Sequence, residues 1–289
     1  MYAIEGITGN VGGAAARSLL GRGEGVRAVV RDPAKGGPWA SRGADVAVAD
    51  LADATALASA FEGVTAAFVL NPPAYQDPDL IARAGELASA IRTAAREAGL
   101  RRLVVLSSIG AHIATGTGNV ATNRIFEEEL ADAAPSVVFI RPAYFMQNWA
   151  WVAEAASNAG ILPSFLAPAD RAIPMVSTAD VGQAVADELR GNSPGRSDVE
   201  IEGPAAVSPD DVVSAFSRAL GRSVAAVVVP ESDWRAQLAA SQFSPRTIEA
   251  WVELFRAFNS GWIRFQRPAG TRRGRTSIGE AVAAIVGPR

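Results

Sequence analysis

At 289 residues the chain is long for one domain and short for two ordinary ones, and a single α/β unit with a smaller appended part accommodates it. Its 49% hydrophobic and 20% charged residues suit a large globular core, with no apolar run near the roughly 20 residues that span a membrane. Cysteine is absent, His112 is the only histidine, Lys35 is the only lysine among 27 basic residues, and the formal net charge is −3; disulfides, thiolate nucleophiles, cysteine zinc sites, a catalytic lysine elsewhere and a global basic excess are thereby excluded.

Met1 runs almost directly into an apolar strand at residues 2–4 with no signal-peptide pattern, so the expected location is cytoplasmic. Gly6, Gly9 and Gly12 follow at three-residue spacing and lead into a helix over residues 11–20. A strand that turns sharply into a helix through glycines lets a diphosphate approach the backbone, and the helix N-terminus then points free N–H groups at it. A second strand at 26–30 ends in Arg31-Asp32-Pro33. An acid at the end of that strand binds a ribose 2′-hydroxyl and an arginine pairs with a 2′-phosphate, so Arg31 favours NADP(H), with NAD(H) open through Asp32.

A third strand at 44–48 precedes Asp50-Leu51 and a helix over 53–61. Asp50 is a candidate acceptor for the adenine amino group or a cap for that helix. The fourth strand, 65–70, is broken by Asn71-Pro72-Pro73, where the chain must leave the sheet at its carboxyl edge. A long helix over 78–98, a fifth strand at 102–106 ending in Ser107-Ser108, a loop over 109–119 expected to lie over the cleft, a helix from Thr122 and a sixth strand at 137–140 complete the rhythm. Alternating strands and helices predict a doubly wound parallel sheet, a Rossmann-type α/β fold.

Beyond Met146 the pattern changes. Residues 148–156 read as helix, 160–168 as loop, 173–176 as a short strand, 179–189 as helix, and 199–202 as a seventh strand returning to the sheet. Ser208-Pro209-Asp210-Asp211 is a strong helix start. A strand at 224–229 and helices at 234–240, 246–258 and 278–286 form a mainly helical C-terminal part. The expected division is a dinucleotide-binding domain over 1–149, joined by 173–203, and a substrate-binding part from 150–172 and 204–289. Arg264, Arg267, Arg272, Arg273, Arg275 and Arg289 face the single acid Glu280, which reads as a solvated or partner-contacting tail in preference to a nucleic-acid surface.

GITGNVG (6–12), VVRDPAK (29–35), VVLSSIGAH (104–112), FIRPAYFMQNW (139–149) and VSTADVGQAVADEL (176–189) together resemble the NmrA-like family, an atypical branch of the short-chain dehydrogenase/reductases, over nearly the whole chain. The resemblance implies a Rossmann domain holding NADP(H) or NAD(H), with phosphates at Gly9 to Val11 and the 2′-phosphate near Arg31. It further implies Asn71-Pro72-Pro73 and Ser107 beside the cofactor, and Tyr144 and Phe145 near the nicotinamide. The expected cofactor set is Gly6, Thr8, Gly9, Asn10, Val11, Gly12, Arg31, Lys35, Asp50, Leu51, Asn71, Pro72, Pro73, Ser107, Tyr144 and Phe145, with no metal. Typical short-chain reductases use a tyrosine and a lysine four residues later to move a proton. Here the tyrosines are Tyr2, Tyr75 and Tyr144, and Lys35 cannot pair with them; residues 121–130 offer Asn123 and Arg124 instead. Some NmrA-like proteins reduce quinones by direct hydride transfer, and others bind the dinucleotide as redox sensors.

A delocalised acceptor takes a hydride without a strong acid, provided the two carbons are aligned. The expected activity is therefore NADPH-dependent reduction of a quinone, enone or imine, and the alternative is a non-catalytic NADP(H)-sensing protein that binds a partner. Candidate proton donors are Tyr144, His112, Ser107 and Ser108, with Tyr144 also readable as an aromatic wall and His112 as a surface residue. No GxSxG elbow accompanies the serines. Trp149, Trp151, Trp234, Trp251, Phe255, Phe258 and Trp262 could line an apolar pocket for an aromatic substrate, although the spacing of Trp251, Phe255 and Phe258 equally suits a helix core face. The oligomeric state, monomer or homodimer, is open.

Overall fold

The computed structural model describes residues 1–287, so Arg289 lies outside the described residues. Apolar runs bounded by glycine and proline become strands, and alanine-rich amphipathic stretches become helices. The first half comprises β1 (Tyr2–Ile4), α1 (Asn10–Gly21), β2 (Val26–Val30), a 3₁₀ turn (Pro33–Lys35), α2 (Gly37–Ala40), β3 (Asp45–Val48), α3 (Ala54–Phe61), β4 (Ala66–Leu70), α4 (Leu80–Glu97), β5 (Arg102–Leu106), α5 (Val120–Glu129) and β6 (Ser136–Pro142). The remainder comprises β7 (Tyr144–Phe145), a 3₁₀ segment (Met146–Val152), α6 (Ala153–Ala159), β8 (Ile161–Ser164), β9 (Ile173–Val176), α7 (Thr178–Leu189), β10 (Gly195–Glu202), β11 (Ala206–Val207), α8 (Pro209–Leu220), β12 (Ala225–Val228), α9 (Glu231–Ala240), α10 (Pro245–Ser260), β13 (Arg272–Arg273) and α11 (Ile278–Val286).

Eight strands form one parallel sheet in the order β13-β10-β6-β5-β4-β1-β2-β3. The central strands β1 and β6 are buried throughout, as are β4 and β5 apart from their last residues, as strands covered on both faces must be. One apolar core includes residues of α1 and α7 on one face of the sheet, and a second includes residues of α3, α4 and α5 on the other. This is the doubly wound α/β class. The order reverses between β1 and β4, and the crevice at their carboxyl ends is where ligands of such sheets bind.

The α1 and α7 helices approach closely because Gly182 has no side chain. A Cβ there would overlap Ala14 Cβ and come within 2.8 Å of the Val11 carbonyl oxygen. Gly182→Ala is therefore expected to lower stability by about 1–3 kcal/mol, the range for overpacking a tight contact, as read from urea unfolding; an unchanged midpoint would contradict this close packing.

The second half departs from expectation in two places. Residues 160–168 contain β8, which pairs in parallel with β12; Pro163 within it hides its strand character from sequence. The expected helix at 148–156 is a 3₁₀ segment followed by the short α6. The short strand expected at 173–176 is β9, which joins β7 and β11 in a small separate sheet. Arg272–Arg273 adds the outer strand β13 to the main sheet.

The predicted start of α8 is realised as a capping box. Ser208 Oγ accepts from the Asp211 N–H at 3.1 Å, and the Asp211 carboxylate accepts from the Ser208 N–H at 2.9 Å.

Most of the C-terminal arginines are tied down within the chain. Arg272 pairs with Asp187, Arg273 with Glu202 at 3.1 Å and Arg267 with Asp198 at 3.7 Å, while Arg264 lies over the Trp262 ring. The carboxylate partners come from α7 and β10, which the sequence separates from these arginines by more than 60 residues. No helix among the described residues is long and apolar enough to cross a membrane.

Candidate functional site

The crevice is a continuous cavity of about 920 Å³. Its phosphate end is built by the glycine turn. Gly6 adopts φ +63°, a left-handed conformation suited to glycine, and the Gly9 N–H closes the turn on the Gly6 carbonyl oxygen at 2.9 Å. No side chain caps α1; the first helical bond runs from the Gly13 N–H to Gly9, leaving the N–H groups of Asn10, Val11 and Gly12 without backbone acceptors. At Gly12 a Cβ would overlap the Gly6 carbonyl oxygen. Free amides at a helix N-terminus behind a side-chain-free turn are the donor set a diphosphate requires, so a dinucleotide fits these residues.

Around this turn the cavity wall includes Gly6, Thr8, Gly9, Asn10, Val11 and Gly12, then Arg31 and Lys35 after β2, and Asp50 and Leu51 after β3. Arg31 and Lys35 are exposed and enter no salt bridge among the described residues. Asp32, the alternative ribose acid, spends an oxygen capping the 3₁₀ turn through the Ala34 N–H at 3.0 Å. Asp50 does not cap α3: it accepts from the Ala52 N–H at 2.9 Å, and Asp53 caps the helix through the Ala56 N–H at 3.0 Å.

One wall residue escaped the sequence reading. Glu5 follows β1, and its N–H donates to the Phe68 carbonyl of β4 at 3.0 Å. Its Oε2 is buried without a hydrogen-bond partner among the described residues. Burial pushes the Glu5 carboxyl up to about 8, while the Leu70 and Gly6 peptide groups and the Arg31 guanidinium pull it down and Asp50 adds to the rise. A folded-state pKa above the unfolded one means that the neutral carboxyl's stability is complete below about 4.5 and is lost as pH rises through about 8.

At the other end lie Asn71, Pro72 and Pro73 after β4, Ser107 and Ser108 after β5, and Tyr144 and Phe145. Ser107 is buried and donates through Oγ to Glu127 Oε1 at 2.5 Å; Ser108 donates to the Ile109 carbonyl at 3.1 Å. Burial pushes the Tyr144 phenol up to about 12 against a hydrogen bond with the Asn148 side chain. With its pKa raised in this way, the phenol stays neutral at physiological pH. On α5, Asn123 faces the cavity, whereas Arg124 turns to the His112 carbonyl at 3.1 Å and to Glu128 at 2.6 Å.

His112 does not line this cavity. Burial, then Arg141, hold its imidazole below the usual histidine range, with Glu200 and Glu127 opposing. Of its loop, Ile109 and Asn119 line the cavity. The Gly118 N–H donates to Glu253 at 3.1 Å, and Trp262 Nε1 donates to the Thr115 carbonyl at 3.1 Å, so the loop is pinned onto α10 and the segment that follows it.

Among the aromatics considered from sequence, Trp151, Trp251 and Phe258 line the cavity, joined by Tyr75. Tyr144 meets Phe258 edge-on at 5.4 Å, and Tyr75 meets Trp151 edge-on at 5.8 Å, with 59% of Trp151 exposed at the mouth. Trp149 is buried against Met175, Trp234 and Phe255 pack with Phe165 in the core, and Trp262 sits on the 109–119 loop. Gln147 was also missed; its Oε1 accepts from the Thr178 N–H at 2.8 Å and draws α7 to the cavity.

A parallel sheet with a glycine turn at its switch point and an arginine after its second strand defines a dinucleotide-binding protein of the Rossmann class. The chain belongs to the NmrA-like family, whose model matches residues 2–261. It is 26% identical over 261 residues to an NAD(P)H azoreductase of Xenophilus azovorans, covering 88% of this chain and 86% of that protein. The fold is shared with the NADPH-dependent quinone oxidoreductase of Escherichia coli solved with NADPH, at a TM-score of 0.80 and 23% identity over 99% of this chain and 100% of that one. It is shared equally with the triphenylmethane reductase of a Citrobacter species, at a TM-score of 0.80 and 19% identity over 99% of each chain.

Proposed function

We propose that the chain is an NADPH-dependent reductase that delivers a hydride to a small conjugated acceptor such as a quinone, enone or imine. The observation that carries this reading is the single cavity running from the glycine turn and Arg31 to a wall of Tyr144, Phe258, Trp251 and Trp151. The names of the relatives, reductases of azo compounds, quinones and triphenylmethane dyes, support the same chemistry. In this reading residues 1–149 and 173–203 hold the dinucleotide, and 150–172 and 204–289 supply most of the acceptor wall. The bound dinucleotide would supply the hydride.

The protein's part is to align and to exclude water. The free amides of Asn10, Val11 and Gly12 receive the diphosphate, and Arg31 receives the 2′-phosphate. Tyr144 and Phe258, set edge to face, give a planar acceptor one apolar ring face to stack on and a second ring at its side, and Tyr144 stays protonated as a hydrogen-bond donor. A quinone that gains a hydride needs one further proton, which water at the mouth supplies. No phenol of lowered pKa is required, because the charge left on the reduced acceptor is delocalised.

A panel of quinones, enones, imines and simple ketones, followed by loss of the reduced nicotinamide absorbance, tests this reading. Turnover of the conjugated acceptors and none of the ketones is expected; tight NADPH binding with no turnover of any acceptor would favour the sensor. Arg31→Ala should weaken NADPH about 10-fold, the loss of one exposed charge-assisted contact, and leave NADH unchanged. Equal losses for both dinucleotides in a fluorescence titration would place the 2′-phosphate elsewhere.

A further inference from the structure

Glu5 is a carboxyl at the anion-binding end of the cavity, where a second negative charge would not be expected. Its place is fixed by the backbone, through the 3.0 Å bond from its N–H to Phe68 between the two central strands. Its Oε2 is buried and unpartnered. The charged groups acting on it are Arg31 after β2 and Asp50 after β3. Gly6 and Leu70 contribute peptide groups only, and the first turn of α1 carries no acid.

Two states of this carboxyl treat a dinucleotide differently. Neutral, it has an O–H to donate toward an oxygen of the adenosine end, which would satisfy its orphaned polar edge. Ionised, it repels the phosphates and competes with a 2′-phosphate for the Arg31 guanidinium.

We propose that Glu5 is a proton-linked selector of the dinucleotide, accepting its adenosine end when neutral and opposing it, NADPH more than NADH, when ionised. This rests on the dinucleotide-binding reading above. The upward push that burial gives the carboxyl, to about 8, puts the change within reach of ordinary buffers.

The test is fluorescence titration of wild type and Glu5→Gln with NADPH and with NADH, near pH 7 and near pH 9. For a group titrating near 8 and protonated in the complex, wild-type Kd for NADPH should rise about 10-fold over this interval. The rise for NADH should be smaller, and Glu5→Gln should bind both almost independently of pH. Calorimetry of the wild type near pH 8, in buffers of different ionisation enthalpy, should detect proton uptake with NADPH, a reading that needs no variant. Equal pH dependence in wild type and Glu5→Gln, an equal rise for both dinucleotides, or no proton uptake would overturn the selector and leave the reductase standing. Failure of the wild type to bind either dinucleotide at the lower pH would overturn both.

Discussion

Glu127→Ala is expected to lower the stability of the protein by about 3–5 kcal/mol, the cost of leaving a buried charge without its partner. Glu127 and Arg141 have side chains only 4% and 3% exposed and join through two contacts, Nε to Oε1 at 2.7 Å and Nη2 to Oε2 at 2.6 Å. Ser107 donates to the same carboxylate at 2.5 Å and Arg196 approaches it at 3.0 Å. After truncation Arg141 keeps Asp198 at 3.4 Å and Gln266 at 2.7 Å, which do not replace a bidentate partner. A fall of roughly 10 °C in Tm is the corresponding thermal reading. The double variant Glu127→Met with Arg141→Met should recover much of the loss, because it removes both charges at once. If the double variant were as unstable as the single one, shape and not charge would be what the pair contributes.

Gly12→Val should weaken dinucleotide binding by about 100-fold or more, a loss near 3 kcal/mol. The clash is with backbone: a Cβ at Gly12 overlaps the Gly6 carbonyl oxygen and lies 2.7 Å from the Gly6 carbonyl carbon. Nothing flexible can move aside. The turn itself must shift, and the amides of Asn10 to Gly12 lose their common focus on the diphosphate. Far-ultraviolet circular dichroism should stay near that of the wild type, since the central strands do not depend on this turn, while titration with NADPH detects the loss. A variant that bound NADPH normally would move the phosphate site away from α1.

The order of the first six strands is legible in the sequence because each is an apolar run that glycine, proline or a charged turn interrupts. Those runs match the structure to within a few residues, β6 for instance spanning Ser136–Pro142 where 137–140 was expected. Strand β13 was not legible. Arg272 and Arg273 have no apolar pattern, and they become a strand only because β10 offers them open backbone groups.

Sites followed the same division. The glycine turn, Arg31 and the Asn71-Pro72-Pro73 corner announce themselves by local chemistry, and the structure gathers them in one cavity. Glu5 does not, because its burial depends on β4, more than 60 residues later. Glu127 is hidden in a run of three glutamates that reads as a solvated helix face; Ser107, Arg141 and Arg196, brought in by β5, β6 and β10, distinguish it from Glu128 and Glu129. His112, the only imidazole in the chain, lies outside the cavity lining, on a loop that Gly118 ties to α10.

The shortness of β13 has a bearing on how copies of this protein meet. It pairs with β10 at Ile201 and Glu202, so the backbone of residues 195–200 meets no strand on that side among the described residues. Borders of that kind invite a strand from another molecule, the first step of sheet-to-sheet aggregation. Here the open stretch carries Arg196, Asp198 and Glu200, whose charges are committed to Glu127, Arg141 and Arg267 and to the backbone of residues 266 and 267. The Asp198 carbonyl oxygen also accepts from Arg267 Nη2 at 3.5 Å, so residues 266 and 267 cover part of this border against a neighbouring strand.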